Sequence, residues 1–207
     1  MAHPLPYLLN WRDQPMPLDL ATAFGRAAPA MMEIGFGNGE FLADLAERHP
    51  EANILGAEIA VFALKQGAFR LAQVKAQHAK LVIGDVRPFL KYALGPGSLQ
   101  KIYVKYPDPW PKTRHAERRL LRPELLREMA RILTPADSSS PLGQLEIATD
   151  HDDYAEEITR SLPPGGFKST HAAPWLPARE DYYETKYERK WKAEGKTLHY
   201  FIYEPVR

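Results

Sequence analysis

The chain has 207 residues, 44% of them hydrophobic and 26% charged, with a net charge of +1; this suits one globular domain and excludes a general polycation. There is no cysteine, which excludes disulfides, thiolate zinc sites and a cysteine nucleophile. No stretch approaches the ~20 apolar residues of a membrane span, and the opening MAHPLPYLLN lacks the basic flank and long apolar core of a secretory signal, so a cytoplasmic location and no membrane partner are expected.

After an N-terminal extension over residues 1–29, the first strand is expected at Ala30–Ile34. It leads through a glycine-rich bend into a helix whose inner face carries Phe41, Leu42 and Leu45. Further strands are expected at Asn53–Ile59, Lys80–Gly84, Lys101–Val104 and Leu145–Thr149. Between the first two of these, Val61, Leu64, Ala68 and Leu71 share one helical face. Leu121, Leu125, Met129 and Leu133 recur every fourth residue, with Pro123 where a first helical turn accepts it. Tyr154, Ile158 and Leu162 do the same after Asp150 and Asp152, both good N-caps.

Strand–helix alternation of this kind predicts a mostly parallel, doubly wound α/β sheet with helices on both faces. Near the end the rhythm changes. Phe167–His171 and Leu198–Glu204 read as strands, separated by a charged helical insert around Asp181–Glu194, and predict an antiparallel pair at one sheet edge. No repeat is visible, and residues 1–207 read as a single domain.

The bend after the first strand reads Glu33-Ile34-Gly35-Phe36-Gly37-Asn38-Gly39-Glu40. Glycines there let the backbone turn sharply and lie against a ligand. A phosphate-binding P-loop would need Gly-Lys-Ser/Thr at its end, which is missing. A dinucleotide turn would place a third glycine at position 40, where Glu40 would oppose a pyrophosphate at the helix N-terminus. The pattern Glu-x-Gly-x-Gly-x-Gly instead resembles motif I of class I methyltransferases, whose ligand has no phosphates and tolerates nearby acids. Glu58 at the end of the second strand is placed to take two ribose hydroxyls, and Asp85 after the third to accept from an adenine amino group. Ligands of open α/β sheets sit outside the carboxyl ends of the strands, where these acids should meet.

The fourth strand delivers Tyr106-Pro107-Asp108-Pro109-Trp110-Pro111-Lys112. Two prolines flanking an acid stiffen the backbone and fix the direction of Asp108. From Lys105 to Arg122 there are six Lys or Arg against two acids, a local basic excess on a near-neutral body that predicts a docked polyanion. The run Tyr106-Pro-Asp-Pro-Trp110-Pro-Lys112-Thr-Arg114-His115-Ala-Glu117-Arg118-Arg119 resembles the signature of bacterial tRNA (guanine-N7)-methyltransferases, the TrmB family. The resemblance extends from about Glu33 to the C-terminus and includes Thr149-Asp150 and Thr185-Lys186-Tyr187-Glu188. Glu117 departs from it, standing where the family usually carries a basic residue.

The resemblance implies a Rossmann-like class I methyltransferase that uses S-adenosylmethionine to methylate N7 of a guanine in the tRNA variable loop. It implies cofactor contacts from Glu33, Gly35, Gly37, Gly39, Glu58, Asp85 and Asp108, with Asp108 also catalytic. Lys112, Asp150, Thr185, Lys186, Tyr187 and Glu188 would bind the target nucleotide, and Arg114, His115, Arg118 and Arg119 would contact RNA, with residues 1–29 as a further RNA-contacting segment. Several side chains keep alternative readings: Glu58 and Asp85 each, taken alone, as a surface or capping residue, Asp150 as a helix cap, Glu188 as a helix-surface partner of Lys192, and His115 as a structural histidine. No metal-ligand spacing is evident, the His151-Asp152-Asp153 run reading as a helix start, and the chain is expected as a monomer or homodimer. Two rival readings are a methyltransferase acting on an exocyclic amino group and a noncatalytic RNA-binding protein that kept the fold. The first would have two consecutive prolines after the acid or amide, where Asp108-Pro109-Trp110 stands; the second would not need the set of acids.

Overall fold

Adjacent residues of the central strands point to opposite faces, and both faces are buried. Met31, Ile54, Leu81 and Tyr103 pack in one apolar cluster, Met32, Leu55, Val82 and Ile102 in the other. A strand covered on both sides needs apolar residues at every position, which is why these segments read as continuous runs.

The computed structural model describes residues 6–111, 113–135, 142–179 and 183–206. Strands β1 (Ala30–Ile34), β2 (Asn53–Glu58), β3 (Ala79–Ile83), β4 (Lys101–Lys105), β5 (Gln144–Thr149), β6 (Phe167–Ser169) and β7 (His199–Pro205) form one sheet in the order β3-β2-β1-β4-β5-β7-β6. The first five pair in parallel, and β7 runs antiparallel to both β5 and β6. The expected antiparallel edge pair is present, with the last strand inserted between β5 and β6.

The helices are α1 (Leu20–Phe24), α2 (Glu40–Arg48), α3 (Val61–Gln73), α4 (Val86–Pro88), α5 (Pro123–Ile132), α6 (Asp152–Ser161) and α7 (Lys186–Ala193). Phe41, Leu42, Leu64 and Leu71 of α2 and α3 cover one face of the sheet, and Leu126, Met129, Tyr154 and Ile158 of α5 and α6 cover the other. Pro123 opens α5, as its fixed φ and missing N–H predict. The capping of α6 differs from expectation. Neither Asp150 nor Asp152 is its N-cap; His151 is, with Nδ1 accepting from the Tyr154 N–H at 3.4 Å. Asp152 instead accepts from His199 Nε2 at 2.7 Å, so tertiary contacts claim the two carboxylates that local preference would assign to the cap.

The segment before β1 is not a free arm. Tyr7 and Leu9 exchange backbone hydrogen bonds with Leu81, covering the outer edge of β3, and Leu9, Trp11 and Leu18 are buried. The Trp11 ring meets Phe89 edge to face at 5.5 Å. No helix of the described residues is long and apolar enough to cross a membrane.

Helix α3 lies close against the glycine bend where it enters α2. Gly39 has φ +75°, and a Cβ there would lie 2.6 Å from the Gly67 Cα. Gly39→Ala is therefore expected to cost more than the ~1–2 kcal/mol of a left-handed alanine alone, because backbone must also move. Urea unfolding checks this; a loss of no more than that strain would show that α3 gives way freely.

Candidate active site

The parallel strands end together at one edge of the sheet, and there a cleft of about 840 Å³ opens. Gly35 and Gly37 after β1, Glu58 at the end of β2, Asp85 after β3 and Asp108 after β4 all line it. The strand order reverses between β1 and β4, so the chain leaves these two strands toward opposite faces and cannot fill the crevice between them.

Gly35 and Gly37 hold φ of +75° and +53°, conformations open to glycine at little cost. That turn points the Gly37 N–H at Glu58 Oε2, 2.9 Å away, while Oε1 accepts from the Ile59 and Ala60 N–H groups at 2.7 and 3.0 Å. A carboxylate offers about four acceptor positions, so a diol engaging Glu58 through both hydroxyls must displace one N–H group. Asp85 caps α4 through the Arg87 N–H at 3.0 Å, and the Arg87 guanidinium grips both carboxylate oxygens, at 3.0 Å through Nε and 2.7 Å through Nη2. The Arg87 side chain holds the Asp85 carboxyl below its usual range; burial opposes this and the backbone bond adds to it.

Beneath the cleft lies a row of buried ionisable side chains. Glu33 pairs in register with Tyr103, which puts Glu33 and Lys105 on the same face of the sheet. Glu33 is 2% exposed and its Oε2 has no hydrogen-bond partner among the described residues. Burial pushes the Glu33 carboxyl up to about 8, against the pull of Lys105 and with a further push from Glu58. Burial likewise pushes the Lys105 ammonium down to about 8, opposed by Glu188, Glu33 and Glu146. Lys105 Nζ lies 3.7 Å from Glu188 Oε2 and 4.5 Å from the centre of the Phe41 ring.

The turn after β4 bears two non-glycine residues in the left-handed region, Tyr106 at φ +51° and Trp110 at +42°. Between them Asp108 is exposed and accepts no hydrogen bond among the described residues. The Trp110 ring sits between His115, edge-on at 5.9 Å, and the Arg118 guanidinium at 5.1 Å. Residues Thr113–Arg118 form a 3₁₀ helix, and Lys112 lies outside the described residues.

The basic run divides in the fold. Arg114, Arg118 and Arg122 are exposed, but Lys105 is buried and Arg119 points inward, its side chain 8% exposed against Glu157. Arg119, expected to contact RNA, is held within the protein: its guanidinium is engaged by two loop carbonyls and a carboxylate that no local pattern discloses.

The remaining expected residues stand outside the cleft wall. Thr185 and Glu188 form a capping box at the start of α7. Glu188 is wholly buried and takes the Tyr200 hydroxyl at 3.2 Å, so it is not a surface partner of Lys192, which pairs with Glu184 instead. Lys186 and Tyr187 are exposed at that helix end, and Asp150 pairs with Lys196 at 3.1 Å.

Sequence reasoning missed Arg87, Lys105 and Glu40 as site-shaping groups. Glu40 accepts from the Lys186 N–H, the Tyr183 hydroxyl and Arg189, fastening α7 to the glycine bend. The available signals were weak: a lysine closing the apolar run Ile102-Tyr103-Val104, and an arginine two residues after Asp85. Among the described residues, no three His, Cys, Asp or Glu side chains gather to hold a metal ion.

A family model described as "Putative methyltransferase" matches residues 27–201. The chain is 34% identical over 194 residues to a protein of Thermotoga maritima named tRNA (guanine-N(7)-)-methyltransferase, covering 92% of this chain and 58% of that one. It is 37% identical over 206 residues to a protein of the same name from Roseobacter denitrificans, covering 96% and 83% respectively. Among solved structures, an aminoglycoside resistance methyltransferase, NpmB1, superposes with a TM-score of 0.61 at 16% identity over 91% of this chain and 92% of its own, a likeness of fold.

The buried Glu33 carboxyl generates a pH signature. Its folded-state pKa lies above the ordinary 4.5, so its contribution to stability is full below that value and is lost as pH rises toward about 8. Glu33→Gln keeps the shape without the charge. Its melting temperature is expected to gain on the wild type between pH ~5 and ~7.5, by roughly 2–4 °C per kcal/mol recovered. Thermal melts across that range check this, and a difference that stays constant would show Glu33 already ionised.

Proposed function

Because the chain belongs to the tRNA (guanine-N(7)-)-methyltransferase family, we propose that it transfers the methyl group of S-adenosylmethionine to N7 of a guanine in tRNA, leaving 7-methylguanosine and S-adenosylhomocysteine. The observation that carries the reading is the meeting, in one cleft, of the glycine bend, Glu58, Asp85 and Asp108. The residues suit this cofactor. Glu33 holds a buried carboxyl oxygen without a partner among the described residues beside Ile34 of the cleft wall, fit for an amino group. The left-handed glycines leave nothing within 4 Å of where a Cβ at Gly35 or Gly37 would stand. Glu33 and Glu40 bracket the bend, carboxylates that a sulfonium tolerates and that would oppose a pyrophosphate at the helix N-terminus.

When bound, S-adenosylmethionine supplies an electrophilic methyl group. Glu58 takes the ribose hydroxyls, displacing one backbone N–H. Asp85 reaches the adenine amino group once Arg87, whose side chain is 70% exposed, releases one oxygen. Guanine N7 carries a free lone pair, so no base has to remove a proton. The protein's work is to align N7 with the methyl and to stabilise a purine that becomes cationic. Asp108, aimed from a turn stiffened by two prolines, accepts from the guanine edge and offsets the new charge. Lys186 and Tyr187, on the helix end set by Thr185 and Glu188, bind the target nucleotide together with Lys112 and Asp150. Arg114, His115 and Arg118 meet the phosphates of tRNA.

Incubation with unmodified tRNA, followed by mass-spectrometric identification of nucleosides, tests the reading. 7-Methylguanosine is expected; a methylated exocyclic amine would assign the chain to the other chemistry, and no product would make it a binding protein. Asp108→Ala should lower the single-turnover rate about a hundredfold, with cofactor and tRNA dissociation constants moving far less. Wild-type chemistry with weak tRNA binding in that variant would leave Asp108 a recognition residue only. Replacing Arg114 and Arg118 together by alanine should flatten the dependence of log Kd for tRNA on log salt by about two phosphate contacts. An unchanged slope would move the tRNA to another surface.

A further inference from the structure

Arg119 occupies a place in the fold that the transfer of a methyl group to tRNA does not by itself call for. Its Nε donates to the Pro109 carbonyl at 2.7 Å and its Nη2 to the Trp110 carbonyl at 3.4 Å, while Nη1 meets Glu157 Oε2 of α6. The guanidinium lies 5.1 Å from the centre of the ring of Tyr154, a fully buried residue whose hydroxyl accepts from the Leu121 N–H at 3.2 Å. All three guanidinium nitrogens are thus engaged within the protein. A planar fork with five N–H groups can hold two successive carbonyls and a carboxylate at once; an ammonium cannot match that geometry.

The two carbonyls belong to the residues that directly follow Asp108. Trp110 sits at φ +42°, a strained conformation that a non-glycine residue keeps only where its surroundings impose it. Pro109 fixes its own φ and restricts Asp108, so anchoring the Pro109 carbonyl fixes the last free peptide plane beyond the carboxylate. No hydrogen bond to the Asp108 side chain itself is present among the described residues, which leaves this turn as what aims it.

We propose that Arg119 and Glu157 form a brace that holds the Pro109–Trp110 turn and thereby aims Asp108, making Arg119 a positioning residue. This rests on the reading of Asp108 as the group that orients guanine. Arg119 then acts on the chemical step and not on RNA affinity, unlike its neighbour Arg118 on the exposed side of the same run.

The test uses the full chain with Arg119→Lys and Glu157→Gln, each alone and combined with Asp108→Ala. Single-turnover transfer at saturating cofactor and tRNA is measured beside both dissociation constants and the salt dependence of tRNA binding. Arg119→Lys should lower the rate roughly ten- to hundredfold, since small misplacements of a reacting group cost that much. Glu157→Gln, which keeps an acceptor for Nη1, should lower it less. Dissociation constants and salt slope should hold. In the Asp108→Ala background neither substitution should lower the rate further, because a brace has no effect once the group it aims is gone. A general loss of structure would instead multiply with Asp108→Ala and would overturn the proposal. So would a wild-type rate in Arg119→Lys, or a salt slope reduced by about one contact, which would make Arg119 a phosphate ligand. Should Arg119→Lys fail to fold, Glu157→Gln decides by the same two comparisons. Absence of 7-methylguanosine from the unaltered protein would refute the activity itself, a result distinct from any of these.

Discussion

Strand β1 hydrogen-bonds in parallel to β2 on one side and β4 on the other, with Glu33 opposite both Gly56 and Tyr103. Parallel neighbours need crossovers, and right-handed crossovers to either side of β1 carry α2 and α3 to one face of the sheet and α5 to the other. The backbone therefore diverges at the carboxyl ends of β1 and β4, and the cleft follows from that divergence. Close packing at the bend depends on the same pairing. A Cβ at Gly56 would meet Leu42 Cδ2 at 2.6 Å and Phe36 Cδ1 at 2.9 Å, so any larger residue there would force the side chains between β2 and α2 to shift.

The charged row on one face of the sheet gives the cleft a floor that is not apolar. Burying Glu33, Lys105 and Glu188 costs solvation that their mutual attraction only partly returns, so stability alone does not explain them. Their position does. Glu33 stands beside the glycine bend, Glu188 begins α7, and Lys105 lies within 3.7 Å of Glu188. From the other side, Glu40 takes the Lys186 N–H at 3.1 Å. Glu188 at the start of α7 thus faces Lys105 of β4, Glu40 of α2 holds the Lys186 N–H, and the helix carrying Tyr187 is placed by residues that belong to the glycine bend and to β4. The glycine bend, β4 and the start of α7 share one electrostatic scaffold.

The turn after β4 joins strain to support. Tyr106 and Trp110 both occupy the left-handed region and bracket Pro107-Asp108-Pro109. Each is held by a ring contact: Tyr106 against Trp191 at 4.6 Å, Trp110 between His115 and Arg118. Such conformations persist where surrounding packing over-determines them. The basic run following the turn therefore serves two directions, Arg114 toward solvent and Arg119 toward the protein, although both are arginines five residues apart in one segment.

Local physics was enough for the sheet. Strands buried on both faces are continuous apolar runs, helices repeat every third or fourth residue, and the glycine bend and Pro-Asp-Pro turn declare backbone constraints that need no partner to be read. All seven strands and the helices from α2 onward, α4 excepted, follow from these signals, as does the meeting of Glu58, Asp85 and Asp108 at one edge. What a charged side chain faces was not legible, because it depends on residues distant in sequence. Arg119 is turned inward by Glu157, 38 residues on; Asp152 is drawn from a cap by His199, 47 residues on; Glu188 is buried by strands β4 and β7. A backbone pattern is a property of a segment, whereas the direction and ionisation of a side chain are settled only when remote elements close around it and remove the water.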